Sequence, residues 1–279
     1  MARTWLITGC SEGGIGAGVA RSVLAHGDNA VVTARHIERI ENIVKDYPET
    51  GLACRLDVTD KENIKEVVET AAARFGRIDV LVNAAGYCYR ASVEESEEDG
   101  VMDMFQANFF GLIALTKAVL PIMRAQRSGM IINFSSIAAL RAFPASGFYA
   151  ATKSAVESVS EALSEELKPL GIKVMIVEPG PFRTHFFDSS LKGGPMTIED
   201  YKETAWKRYP QYTVNNEDQA GSPDNAGKVL IAAVESGDPP ARILLGKAAV
   251  VVAKRQYARR IAETEKWADL SAKADFDTV

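Results

Sequence analysis

The chain of 279 residues is 47% hydrophobic, enough to bury the core of one α/β domain spanning residues 1–279. Its formal net charge of −5 excludes a general nucleic-acid surface, which would be basic. Cys10, Cys54 and Cys88 form no Cys-x-x-Cys pair, and His26, His36 and His185 show no zinc spacing, so neither a disulfide framework nor a metal site is expected.

The N-terminus runs directly into Thr4-Trp5-Leu6-Ile7-Thr8, leaving no room for a signal peptide. No run reaches the roughly 18 apolar residues of a membrane span, so a soluble, cytoplasmic protein without stable membrane insertion is expected. Short β-rich runs at 3–8, 29–34, 51–56, 78–82, 130–134, 172–177 and 241–245 alternate with helical stretches. That alternation predicts a doubly wound, Rossmann-type parallel sheet of about seven strands with helices on both faces.

The first strand opens into Thr8-Gly9-Cys10-Ser11-Glu12-Gly13-Gly14-Ile15-Gly16, and a helical pattern follows. Glycines there let the backbone approach a pyrophosphate while the helix start supplies N–H groups, which makes Gly9, Ser11, Gly14 and Ile15 candidate cofactor contacts. Either Gly13 or Gly14 could make the closest approach. The second strand ends at Thr33-Ala34-Arg35 with no carboxylate. An NAD site places an acid at this point, whereas an arginine suits a 2′-phosphate; taken alone Arg35 reads as a solvated surface charge, but in a doubly wound sheet it favours NADP(H) over NAD.

Leu56-Asp57-Val58 follows the third strand, and Asn83-Ala84-Ala85-Gly86 follows the fourth. Tyr87 and Tyr89 either line the substrate side or pack the loop. The acidic run Glu94 to Asp99 reads as a solvated helix start, where negative charge suits the dipole. Met104 to Arg127 carries helical periodicity, interrupted by the polar Asn108 before Gly111.

Ser136 stands just past the fifth run, and thirteen residues later comes Tyr149-x-x-x-Lys153. Residues i and i+4 share a helix face, so the ammonium can sit beside the phenol. A cation there is expected to lower the phenol pKa, and a hydroxyl at Ser136 could hold the oxygen of a carbonyl that Tyr149 protonates. Alone, the Tyr-x-x-x-Lys spacing arises readily by chance. Together with the Gly-rich turn (one residue longer here) and Asn-Ala-Ala-Gly, the pattern resembles the short-chain dehydrogenase/reductase family, nearly continuously from residue 3 to 184.

The resemblance implies further roles. Ser136, Tyr149 and Lys153 would be catalytic, and Asn108 would hold a water that links Lys153 to solvent. Asp57 and Val58 would meet the adenine, and Asn83, Ala84 and Gly86 would lie under the cofactor, with Tyr149 and Lys153 also touching it. Pro179, Gly180, Phe182 and Thr184, in the turn after the sixth strand, would hold the nicotinamide carboxamide. The helices around 104–127 and 149–168 would form the interface of a homodimer or homotetramer.

Residues 182–223 lie where the family places a substrate lid. The segment holds Phe182, Phe186, Phe187, Tyr201, Trp206, Tyr209 and Tyr212, which either line an apolar pocket or pack the lid. Residues 247–279 form a C-terminal extension with a basic helix, resembling relatives of 17β-hydroxysteroid and retinol dehydrogenases. The expected activity is NADPH-dependent reduction of a small apolar ketone or aldehyde, reversible as an alcohol dehydrogenase. Two alternatives are NAD-linked oxidation of a hydroxysteroid- or retinoid-like alcohol, and a dinucleotide sensor without turnover.

Overall fold

Runs in which nearly every side chain is apolar suit strands covered on both faces, because alternate residues then meet two separate layers. The computed structural model describes residues 2–187, 191–208 and 218–276; Tyr209, Tyr212 and the rest of 209–217 lie outside the described residues. Its strands are β1 (Thr4–Ile7), β2 (Asn29–Ala34), β3 (Gly51–Arg55), β4 (Val80–Asn83), β5 (Cys88–Arg90), β6 (Gly129–Phe134), β7 (Ile172–Pro179), β8 (Leu191–Gly193) and β9 (Arg242–Leu245). The helices are α1 (Ile15–His26), α2 (Glu41–Val44), α3 (Lys61–Phe75), α4 (Glu98–Phe105) and α5 (Gly111–Gln126). They continue with α6 (Ile137–Leu140), α7 (Gly147–Leu167), α8 (Pro223–Glu235) and α9 (Lys247–Ser271).

Seven strands form one parallel sheet in the order β3-β2-β1-β4-β6-β7-β9, and these are the seven expected runs, displaced by at most two residues. Along β1 the layers alternate. Trp5 and Ile7 join the core under α1 and α8, while Leu6 joins the core under α3 and α5. The chain winds outward in both directions from β1 and β4, so the crevice between their carboxyl ends is the topological switch point where ligands bind in such sheets.

Two departures from the sequence reading matter for function. The run Met104 to Arg127 is not one α-helix, because Gln106–Phe110 forms a π turn between α4 and α5. The Gly111 amide closes that turn on the Gln106 carbonyl, and Asn108 within it is fully buried. Such turns widen a helix locally and are frequent at functional sites. Read through the turn, the helical run Glu98–Gln126 is long and apolar enough to cross a bilayer, which the residue count alone missed. Its Leu112, Leu115, Val119 and Met123 are nevertheless buried, as core-facing positions of a folded domain are.

The second departure is a small parallel pair. β8, in the stretch between β7 and α8, lies on β5, in the register Cys88↔Leu191 to Arg90↔Gly193. The base of this excursion is closed by a bridge between Phe182 and Gly221, with the Arg183 amide donating to the Gly221 carbonyl at 2.8 Å. At the C-terminus, α9 buries Ala249, Ala253 and Gln256 and then runs exposed from Tyr257 onward.

Candidate active site

The Gly-rich turn sits at the switch point. Gly9 has φ +70°, and a Cβ there would lie 2.7 Å from the Ala84 carbonyl oxygen, so only glycine lets β1 and β4 approach at this place. Thr8 fixes that approach, its Oγ1 accepting from the Ala84 and Ala85 amides at 3.0 Å each. Of the two candidates for close phosphate approach, Gly13 (φ +71°) is covered by the His185 ring, and Gly14 caps α1 with its amide bonded to the Ser11 carbonyl at 2.9 Å. The groove fits a dinucleotide. α1 starts without a side-chain cap or an acidic residue in its first turn, which leaves the N–H groups from Ile15 onward for an anion.

Arg35 is exposed at the end of β2 and forms no ion pair among the described residues. Asp57 and Val58 follow β3 at the same edge. Asp57 accepts from the Thr59 amide and hydroxyl at 2.9 and 2.7 Å. Burial pushes its carboxyl up, but those bonds and the nearby Arg35 and Arg55 hold it below its usual value. α3 is capped by Asp60, whose carboxylate accepts from the Glu62 and Asn63 amides. Asn83 turns its side chain into the sheet, where Nδ2 donates to Asn133 Oδ1 at 2.9 Å and Thr116 Oγ1 at 3.1 Å. Its Nδ2 is thus spent within the sheet, and Ala84 and Gly86 follow directly beyond the carboxyl end of β4.

α7 presents Tyr149, Thr152, Lys153, Val156 and Ser160 on its buried face, the spacing of one helical stripe. Lys153 Nζ donates to the Phe134 carbonyl at 2.9 Å, and Ser135 Oγ donates to Glu157 Oε1 at 2.6 Å. The end of β6 is thereby pinned to α7, which sets Ser136 opposite Tyr149. Ser136 caps α6, accepting from the Ala138 amide at 3.1 Å. Asn108 Oδ1 accepts from the Tyr87 amide at 2.9 Å, and its Nδ2 donates to the Tyr87 carbonyl at 2.8 Å and Thr152 Oγ1 at 3.3 Å. Gly86 packs against Asn108 Oδ1, and Lys153 Nζ is the next group beyond it. The structure therefore brings Ser136, Tyr149, Lys153, Asn108 and Gly86 into one cluster.

One expectation is corrected. Lys153 was expected to acidify the phenol, yet its Nζ lies 5.9 Å from the Tyr149 ring centroid. Burial raises the Tyr149 phenol well above its ordinary value, with Cys88 adding to that and a hydrogen bond from Ser136 and the nearby Arg90 opposing it. Burial also pushes the Lys153 ammonium down to about 8. Desolvation disfavours the charged form of each group and is the largest cause of both shifts.

On the other side of Tyr149, Phe186 stands 5.7 Å away, ring to ring, and Leu191, Cys88 and Met104 share its apolar cluster. Tyr89 is a buried strut against Gly100 and Gly194, whereas Tyr87 is half-buried with Lys192 Nζ 4.7 Å over its ring. Phe182 packs in the core, and Gly180 donates to the Leu245 carbonyl at 3.0 Å. Thr184 Oγ1 accepts from the Phe186 amide at 3.3 Å. Pro179 ends β7 at the same edge.

Glu95 escaped the sequence reading. Five of the six residues from Glu94 to Asp99 are exposed or half-buried, but Glu95 is 6% exposed and bonded to residues about a hundred positions away. No local pattern marks such a residue. A cavity of about 420 Å³ at the opposite edge of the sheet holds Arg3, Arg77 and Lys173. Its cations are already engaged, with Glu235, Asp79 and the Gly237 carbonyl respectively.

A family model described as short chain dehydrogenase matches residues 3–193. The crystal structure of a short-chain dehydrogenase from Streptomyces avermitilis superposes with a TM-score of 0.90 at 36% identity, covering 99% of each chain. The oxidoreductase BOA17 of Botryotinia fuckeliana is 34% identical over 97% of this chain and 98% of its own length. A 3-ketodihydrosphingosine reductase of Bacteroides thetaiotaomicron is 38% identical over 68% of this chain and 71% of its own.

Proposed function

The chain belongs to the short-chain dehydrogenase family and is an oxidoreductase of that kind; from this premise we propose that it reduces an apolar ketone or aldehyde with NADPH, Tyr149 serving as the general acid. The observation that carries the proposal is the cluster of half-buried Ser136 with buried Tyr149, Lys153 and Asn108, at the same edge of the sheet as the open start of α1. A bound nicotinamide dinucleotide supplies the hydride chemistry, and the protein supplies position and polarity.

The first turn of α1, with Gly9, Ser11, Gly14 and Ile15, would hold the pyrophosphate, and Arg35 the 2′-phosphate. Asp57 and Val58 would face the adenine. Pro179, Gly180, Phe182 and Thr184 would receive the carboxamide. Ser136 and Tyr149 then hold the substrate carbonyl oxygen as negative charge develops on it. Because burial keeps the phenol protonated through neutral pH, Tyr149 carries the proton that reduction consumes. Lys153 and Asn108 stand behind it as the route by which that proton is replaced.

The substrate side supports an apolar ligand, since Tyr149 faces Phe186, Leu191 and Met104. The relative from Bacteroides thetaiotaomicron is, by its name, a ketone reductase, which agrees with reduction as the favoured direction. A cytoplasmic homodimer or homotetramer, built on the outer faces of α5 and α7, completes the proposal. The test is oxidation of NADPH by the purified protein with a hydrophobic ketone and with a small polar ketone of similar electrophilicity. The hydrophobic ketone should be turned over with the higher kcat/KM, and preference for the polar one would refute the apolar pocket.

A further inference from the structure

The acidic run 94–99 contains one residue unlike the rest. Glu95 is buried, and its carboxylate gathers four donors from three stretches of chain. Oε1 accepts from the amides of Thr197 and Ile198 at 2.6 and 2.8 Å. Oε2 accepts from Ser92 Oγ at 2.7 Å and from the indole Nε1 of Trp206 at 3.0 Å. Three of those donors belong to the excursion between β7 and α8, which begins at Phe186 and Leu191 against Tyr149. The neighbouring ties run the same way: Tyr201 Oη to Glu94, Arg90 Nη1 to the Arg208 carbonyl at 3.3 Å, and β8 along β5. Burial alone would raise the Glu95 carboxyl; the hydrogen bonds together outweigh it and hold the group at about 2. The carboxylate is therefore charged throughout the range in which an enzyme works.

We propose that Glu95 is a positioning residue, a latch that holds the 191–208 stretch closed over the substrate side of Tyr149. The inference rests on the reductase reading and deepens it. A carboxylate suits this work better than an apolar contact. Its bonds are directional, so they fix one closed position, and water can replace every donor when the stretch lifts, so opening leaves no group unsatisfied. An amide in its place has one acceptor oxygen, and its NH₂ group would face donors. Closure would then be lost while the reacting groups on α7 stay in place.

The test is Glu95→Gln in the full chain, with NADPH affinity, steady-state kinetics on a bulky apolar ketone and tryptophan emission all measured. Loss of two charge-assisted bonds predicts a KM raised ~10-fold or more with kcat within ~3-fold and NADPH affinity unchanged. The Trp206 contribution to emission, isolated by subtracting Trp206→Phe from the parent, should shift to longer wavelength. Trp206→Phe removes one donor of the four and should raise KM in the same direction by about 3-fold, adding little in the Glu95→Gln background. Parental KM and emission in Glu95→Gln would overturn the latch, and so would joint loss of kcat and NADPH binding, which marks a merely structural role. Should Glu95→Gln fail to fold, an unchanged KM in Trp206→Phe overturns it. If the parent oxidises no NADPH with any ketone, it is the reductase reading that fails, and the emission change still decides whether Glu95 holds the stretch.

Discussion

The pH dependence of turnover follows from where Lys153 lies. Its side chain is 6% exposed, and its Nζ has a carbonyl partner in Phe134. Burial takes the ammonium from 10.5 to about 8, a preference of about 3 kcal/mol for the neutral form relative to water. The protonated amine, needed to replenish the phenol proton, is abundant below that value and is lost as pH rises through it. The kcat/KM for ketone reduction should be level from pH 6 to 7 and then fall, with a midpoint near 8, approaching tenfold per pH unit. Tyr149 adds no limb below pH 10, since burial raises its phenol. Stability gives a second readout. Between the folded and unfolded values of the lysine the unfolded chain binds more protons, so stability rises with pH across that window. Urea unfolding of the parent should gain on Lys153→Met by up to about 3 kcal/mol between pH 7 and 10. A kinetic limb near pH 10, with no such gain, would instead show an ordinary solvated ammonium at Lys153.

Two further outcomes test the cofactor groove and the sheet edge. Arg35→Ala should weaken NADPH by about 2 kcal/mol, roughly 30-fold, while leaving NADH affinity nearly unchanged; binding titrations with both cofactors check this. Arg242 lies among Glu157, Glu161 and the fully buried Glu178, whose carboxyl is raised to about 7 by burial and by Glu157, against the pull of Arg242. Arg242→Met should cost about 3 kcal/mol at pH 8, measured by urea unfolding. The loss should shrink at pH 5, where Glu178 takes up a proton and no longer needs the cation.

The seven strands of the main sheet were legible because a parallel strand covered on both faces is a short apolar run between turn residues. The Gly-rich turn, Asn-Ala-Ala-Gly and Tyr149-x-x-x-Lys153 were legible because their chemistry sits in contiguous residues. What stayed hidden depends on distance or burial. Gln106–Phe110 fits α periodicity equally well, so the polar Asn108 on an apolar face is the one hint of the π turn. β5 and β8 have three residues each, too few to show a period. The i, i+4 spacing places Lys153 on the face of Tyr149 but says nothing of how dry that face is, and dryness reverses the expected shift of the phenol. Glu95 reads as one more surface acid until residues 197, 198 and 206 fold back onto it.

The most direct measurement is single-turnover reduction of a hydrophobic ketone by Tyr149→Phe, with NADPH binding followed in the same preparation. The rate should be lower by at least ~10²-fold, because the ring stays packed against Phe186 while the proton donor is gone. Affinity for NADPH should match the parent. A variant that reduced the ketone at the parental rate would contradict the role given to that phenol and with it the proposed reaction.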